Sequence, residues 1–361
     1  MIASLYAAVA RQRRRHFASH PHLQRRLSRP VLSIGNIAAG GRAKTPLAGY
    51  VAARLRDMGE RPAILSRGYG RRDAVDGVVV VRDPGGIRAD LDRAGDEPLM
   101  LARQLDGVAV VVCPDRHLAG RLAEHHFGCT VHVLDDGFQH FTLHRDADIV
   151  VVTKEDLPPE GGSHPASGSH PASGSHPASG SDLASGSDLT SGSRLPKTFP
   201  SGRLREPIDA LAAADAVIGL DGAGSGPRFW RAKRVQLPVR AADPASPPVV
   251  PGAGPILAVA GIANPDGFFA DLRAAGWTIA RDLRFRDHHR YSRADVKGLE
   301  DAARASGARA IVTTEKDLVR LLPFRPFRVA VGCAPMAIEL ESPGAFDAWL
   351  MERVRAARQA S

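Results

Sequence analysis

The stretch VLSIGNIAAGGRAKTPLAGY, residues 31–50, decides how the rest of the chain is read. A short β-rich run breaks into a glycine-bearing loop, then into Lys44, Thr45 and an apolar helical pattern. In a loop of this kind backbone N–H groups and a helix N-terminus converge on phosphate oxygens, a lysine adds a point charge, and a hydroxyl helps hold Mg²⁺. Gly40, Gly41, Arg42, Ala43, Lys44 and Thr45 are therefore candidate nucleotide-binding residues. The match to GxxxxGK[ST] is imperfect, because the eight residues ending at Thr45 begin with Ala38 and place Ala43 where glycine belongs. By itself the stretch leaves an ordinary β-to-helix turn with an exposed lysine open as well.

Outward from the loop, the pattern is one of short apolar strands alternating with helices. Strands are expected over 63–66, 78–81, 108–113, 131–134, 149–153 and 216–220, with helices over 97–104 and 117–127 between them. Pro46 falls in the first turn of the helix after the loop, where its missing N–H costs little, and Gly59 ends that helix. The alternation predicts an α/β fold: a P-loop NTPase-like, mostly parallel sheet with helices on both faces, over 31–225. Gly and Pro accumulate over 221–255, flanking a strand over 232–240, which suggests a junction. A second, smaller α/β unit is expected over 226–361, with strands over 256–260, 278–281, 310–313 and 328–332 and a C-terminal helix from 344 to 358. Between residues 163 and 192 a six-residue unit repeats five times (SHPASG three times, SDLASG, SDLTSG), and its Ser/Gly/Pro background reads as a flexible insertion with no core.

A chain of 361 residues with 43% hydrophobic content can bury two cores. Its formal charge of +9 is unevenly placed: residues 1–30 hold seven arginines and no acid, hence +7 of the total. A helix over 2–17, apolar on one side and ending in arginines, suits a lipid interface, although a solvated basic tail has the same pattern. With only 5% aromatic residues, nucleic acid is not the expected partner. No run approaches the roughly 18 apolar residues of a membrane span, and the apolar stretch precedes the arginines, opposite to a signal peptide. A cytoplasmic protein lying peripherally on a membrane is expected. Cys113, Cys129 and Cys333 are far apart and without metal-ligand spacing, so they read as reduced thiols.

The chemistry can sit where strands end. Asp135 and Asp136 follow the strand over 131–134, where a carboxylate helps hold Mg²⁺ in P-loop enzymes, though Asp-Gly there is also a common turn. Asp96 and Glu97 open a helix, where capping and dipole compensation explain them equally well. Arg116 follows the strand over 108–113 and could neutralise phosphate. His288 and His289 stand in a loop without regular ligand spacing.

Taken together, GNIAAGGRAKTP, LSRGYGR, GDEPLMLAR, the DR of CPDRHLAG, LDDGFQH, PSGRLREP, AGIANPDGFF, DHHRYS and TEKD occur here in an order that resembles the tetraacyldisaccharide 4′-kinases, the lipid A 4′-kinases of Gram-negative bacteria. The resemblance covers nearly the whole chain outside the repeat. It implies phosphorylation by Mg·ATP of the 4′-hydroxyl of a tetraacylated disaccharide 1-phosphate, giving lipid IV-A at the cytosolic face of the inner membrane. It further implies that Lys44 reaches the β- and γ-phosphates and that Asp96 is the catalytic base, coupled to His288. Thr45, Glu97, Asp135 and Asp136 would serve the metal; Arg116 and Gln139 would serve the nucleotide, and Arg203 and Arg205 the substrate. The sequence departs from the family's usual GG[TSN]GKT at Arg42 and Ala43, which leaves a non-catalytic lipid- or nucleotide-binding protein with a degenerate P-loop as the alternative. A P-loop GTPase is disfavoured, because Thr314-Glu315-Lys316-Asp317 has the wrong order for NKxD or TKxD.

Overall fold

A computed structural model describes residues 2–40, 43–73, 77–158, 196–243 and 248–360; Gly41, Arg42 and the hexapeptide repeat lie outside these. The chain opens with helix α1 (Ile2–Ser19), then runs through β1 (Val31–Asn36), α2 (Lys44–Asp57), β2 (Pro62–Ser66), β3 (Val79–Asp83), β4 (Gly86–Ile87), α3 (Leu91–Ala94) and α4 (Asp96–Gln104). It continues with β5 (Ala109–Val112), α5 (Arg116–Phe127), β6 (Val131–Asp135), β7 (Ala147–Val152), β8 (Ala216–Leu220) and β9 (Phe229–Gln236). These strands, with a later one, form a ten-stranded sheet. Every residue of β1, β2, β5, β6, β7 and β8 is buried, which is why they read as continuous apolar runs: both faces of a parallel sheet are covered by helices.

β1 lies between β6 and β7 and is parallel to both, with Ile34 in register with Asp135. The loop after β1 and the Asp135-Asp136 turn after β6 therefore emerge side by side at the carboxyl edge, where α/β sheets bind ligands. Close packing fixes the pair: a Cβ on Gly35 would lie 2.4 Å from Phe138 Cβ.

The second unit comprises β10 (Arg240–Ala241), β11 (Ile256–Ala260), α6 (Pro265–Ala274), β12 (Ile279–Arg284), α7 (Arg293–Ala305), β13 (Ala310–Thr314), α8 (Glu315–Leu321) and β14 (Ala330–Ala334). Its sheet runs β10-β14-β13-β11-β12, antiparallel only at β10. The chain then leaves it through β15 (Met336–Leu340) and α9 (Pro343–Ala360).

The expected boundary at 226 needs correction. β9 pairs with β8, and β15 pairs antiparallel with β9, so both belong to the large sheet. On α9, Phe346, Leu350 and Val354 share a core with Leu47, Val51 and Leu55 of α2, and Arg54 is paired with Asp347. The smaller unit is thus inserted between β9 and β15, and its two connections are tied by Leu237 N–H donating to Pro335 O at 2.8 Å. A half-buried strand such as β9 and an apolar helix stripe such as that of α9 show that a partner is needed without showing which one.

Candidate active site

Two walls of the large unit lie beside its junction with the second unit. The first is the phosphate loop. Lys44 and Thr45 open α2 and are buried at its N-terminus. Lys44 Nζ donates to Asp136 Oδ1 at 2.6 Å, and Arg205 Nη1 reaches the same carboxylate at 3.0 Å. Burial opposes ionisation of Asp136, but Lys44 and Arg205 hold it below the usual carboxylate range. Thr45 Oγ1 stands 3.3 Å from Asp135 Oδ2. Burial, reinforced by the charges of Glu97 and Asp136, pushes Asp135 up to about 7. Arg116 is buried at the start of α5, and burial together with Arg67 works against its charge while Asp136 and Asp135 support it.

The second wall is Asp96, at the first position of α4. The turn before it needs Gly95, whose φ is 84° and whose added Cβ would lie 2.8 Å from Tyr69 O. Asp96 Oδ2 accepts from His288 Nδ1 at 2.9 Å and from Nε of Arg320 on α8 at 2.9 Å. Lys316 Nζ lies 3.0 Å from His288 Nε2 and 3.2 Å from Glu97 Oε1. Because an ammonium only donates, Nε2 accepts and the imidazole proton sits on Nδ1, facing Asp96. Against the cost of burial, the His288 hydrogen bond and the charges of Lys316 and Arg320 hold Asp96 well below the carboxylate range.

Three of the four described non-glycine residues with positive φ, Ala43 (57°), Asp136 (56°) and His288 (58°), belong to these walls. Such torsions persist only where surrounding structure over-determines them, and they gather at functional sites.

Some expected residues are engaged elsewhere. Gln139 Nε2 donates to Asn36 O and Glu206 Oε1, both at 2.9 Å, so its amide braces the loop against the segment around residue 206. Arg203 pairs with Asp156 at 2.9 Å, while its carbonyl accepts from Ala39 N, in the loop after β1, at 2.6 Å. Gly40, in the loop after β1, has φ 99°. Lys316 and Arg320 have only a weak signal in the sequence: basic residues four apart, the first of them the lysine of TEKD.

No three His, Cys, Asp or Glu side chains among the described residues converge as a metal cage. Mg²⁺ does not require one, since it is commonly held by one or two carboxylates with phosphate oxygens and water. Asp135 and Thr45 fit that use: a buried carboxylate repelled by Glu97 and Asp136, beside a hydroxyl, gains from a cation. Asp136 and Glu97 already face cations, Lys44 and Lys316 respectively.

A family model described as tetraacyldisaccharide-1-P 4′-kinase matches residues 1–166 and 188–355. Among curated proteins, the tetraacyldisaccharide 4′-kinase of Koribacter versatilis is 33% identical over 332 residues, covering 89% of this chain and 87% of that protein. That of Rhodopseudomonas palustris is 34% identical over 99% of this chain and 92% of its own length. Among solved structures, LpxK from Aquifex aeolicus in complex with ATP superposes with a TM-score of 0.74 at 26% identity, covering 98% of this chain and 97% of that one. With the family's motifs gathered on the two walls of one cleft, the chain belongs to the tetraacyldisaccharide-1-P 4′-kinase family.

Proposed function

We propose that this cleft transfers the γ-phosphoryl group of ATP to the 4′-hydroxyl of tetraacyldisaccharide 1-phosphate, with Asp96 receiving the hydroxyl proton. The observation that carries this reading is the 2.9 Å contact between Asp96, on the unit holding the phosphate loop, and His288, on the other unit. The sugar oxygen attacks the γ-phosphorus, the bond from that phosphorus to the β–γ bridging oxygen breaks, and ADP leaves. Phosphoryl transfer of this kind proceeds through a loose transition state, in which positioning and charge neutralisation matter more than early proton abstraction. A carboxylate of low basicity therefore suffices, provided it is oriented, and His288 supplies orientation through its Nδ1–H.

Lys44, now on Asp136, would exchange that carboxylate for phosphate oxygens, and Arg205 and Arg116 would add charge beside it. Gly40 and Ala43 would stand close to the phosphates of the nucleotide. A Mg²⁺ held by Thr45 and Asp135, together with phosphate oxygens, would neutralise charge on the β- and γ-phosphates. The non-catalytic alternative is disfavoured because the residues for proton removal are oriented although the loop departs from consensus.

For the lipid, Ile2, Leu5, Tyr6 and Val9 recur at helical spacing on α1 and are 71%, 66%, 37% and 56% exposed. The opposite side is docked: Arg14 forks onto Glu206 at 2.8 Å and lies 4.0 Å from the Phe138 ring centroid, and Thr198 Oγ1 donates to Ala3 O. Phe199, 54% exposed, extends the apolar stripe through its edge contact with Tyr6. No described helix is long and apolar enough to cross a membrane. We assign the stripe to peripheral contact with acyl chains at the cytosolic face of the inner membrane. Incubation of the purified protein with γ-labelled ATP and tetraacyldisaccharide 1-phosphate, followed by lipid chromatography, tests the activity. Label in the lipid is expected, and its absence with intact ATP binding would favour the non-catalytic alternative.

A further inference from the structure

We propose that Arg320 is a positioning residue for the phosphoryl transfer, orienting the Asp96 carboxylate and tying it to the second unit; this rests on the reading that Asp96 receives the substrate proton. Arg320 is 3% exposed on α8, four residues after Lys316, so one helix face presents both cations toward α4. Its Nε and Nη2 both donate to Asp96 Oδ2. Its Nη1 donates to Gly261 O and Asp317 Oδ1, each at 3.0 Å. Asp317, fully buried, is held in turn by Gly261 N–H at 2.9 Å, Thr314 Oγ1 at 2.7 Å and Tyr291 OH at 3.1 Å. One arm of the guanidinium is thereby anchored in the turn after β11, the start of α8 and the DHHRYS loop, all parts of the second unit. The other arm grips a carboxylate of the first.

The distribution of donors on Asp96 gives the role its chemistry. Oδ2 is saturated by His288 and by two nitrogens of Arg320, whereas Oδ1 accepts the backbone N–H of Glu97 at 2.9 Å. Rotation about Cβ–Cγ would exchange the two oxygens, and holding Oδ2 on one side prevents it. Oδ1 is then left with a lone pair for the sugar hydroxyl, in an orientation set before substrate arrives. Only a planar, multi-donor group can span Asp96, Asp317 and the Gly261 carbonyl together, and a lysine at the same place could not.

The test uses the full chain with Arg320→Lys, Arg320→Met and the double variant Asp96→Asn/Arg320→Met, measured for kcat, KM for lipid, ATP affinity by equilibrium titration, and thermal unfolding. Wild-type turnover and loss of turnover in Asp96→Asn come first; if Asp96→Asn remains active, it is the reading of Asp96 that fails. Expected are kcat losses of about 100-fold for Arg320→Met and about tenfold for Arg320→Lys, with ATP affinity within threefold of wild type and no further loss in the double variant beyond Asp96→Asn. Should Arg320→Met fail to fold, Arg320→Lys, which keeps the buried cation, decides. The proposal is overturned if Arg320→Lys turns over within threefold of wild type. It is equally overturned if kcat per ATP-binding-competent molecule stays normal while only the unfolding temperature falls, the outcome of a purely structural ion pair.

Discussion

The two walls of the cleft treat their buried carboxylates in opposite ways. Asp135, beside the phosphate loop, is crowded by Glu97 and Asp136 and by burial, which push its carboxyl up to about 7. Asp96, across the cleft, is ringed by His288, Lys316 and Arg320 and held well below the usual carboxylate range despite being buried. In the first environment Lys44 offsets only part of the cost of burial and of the neighbouring carboxylates, so a cation arriving with its ligand is a gain. The second is already balanced, and every one of its balancing groups comes from the other unit. On the proposed reading, one wall would be completed by the nucleotide and its metal, the other by the meeting of the two units.

That contrast can be broken most sharply at the second wall. Asp96→Asn and His288→Ala should each lower kcat by about 10³-fold. Their combination should be little worse than either, because the two act as one unit. Steady-state kinetics on all three variants checks this, and losses that simply multiply would separate the pair.

At the first wall the expected effect is smaller and of a different kind. Asp135→Asn should raise the Mg²⁺ concentration for half-maximal rate by about ten- to 100-fold, the scale on which altered ligand shells change metal affinity. Asp96→Asn should leave that concentration unchanged in its residual activity. A Mg²⁺ titration of both variants gives the answer; equal shifts would mean that Asp96 also binds the metal and that the walls are not distinct.

The sequence made the two walls unequally legible for a physical reason. Lys44 and Thr45 follow β1, and Asp135 and Asp136 stand at the end of β6, so that β-run and charged residue follow one another within a few positions in both. The Asp96–His288 pairing, 192 residues apart, came from family resemblance, since no local pattern joins them. Lys316 and Arg320 are not among the residues expected from sequence: cations four apart on a helix are the ordinary pattern of a solvated face, and the packing of α8 on α4 turns them inward. Gln139 is a different case: its place in DDGFQH suggests a ligand contact, and its Nε2 donates to Glu206 and Asn36. The same limit explains the boundary near residue 226, since β9 and β15, which pair with each other, are separated by the whole of the second unit.

A perturbation remote from both walls should leave the chemistry alone. Leu5→Glu combined with Val9→Glu places two charges on the exposed stripe of α1 while sparing the docking contacts of Arg14 and Thr198. Each apolar side chain withdrawn from a lipid interface forfeits about 1.5–3 kcal/mol at full burial, so a partial loss corresponds to an increase in KM for lipid of about tenfold or more. KM for ATP and kcat at saturating lipid should not change, and sedimentation with anionic vesicles should fall. Unaltered sedimentation and lipid KM would remove α1 from lipid recognition.

The smallest expected effect lies within the phosphate loop itself, at Ala43. Had its torsions been right-handed helical, alanine would fit there without strain; instead it takes φ 57° and ψ 8° immediately before Lys44. A left-handed conformation costs a residue with a Cβ about 1–2 kcal/mol relative to glycine, part of which glycine returns through its greater freedom in the unfolded chain. Ala43→Gly should therefore raise the unfolding temperature by about 2 °C for a protein of this size. That gain is present with or without nucleotide, so it does not change ATP affinity. Affinity responds instead to the Cβ, which stands at the N-terminus of α2 where backbone N–H groups must approach phosphate closely. Its removal should lower KM for ATP by about threefold, worth ~0.6 kcal/mol, with little change in KM for lipid. Thermal unfolding and ATP titration separate the two terms: a rise in stability with unaltered ATP affinity would show a strained loop that already admits the nucleotide, and no change in either would mean that the loop relaxes around alanine.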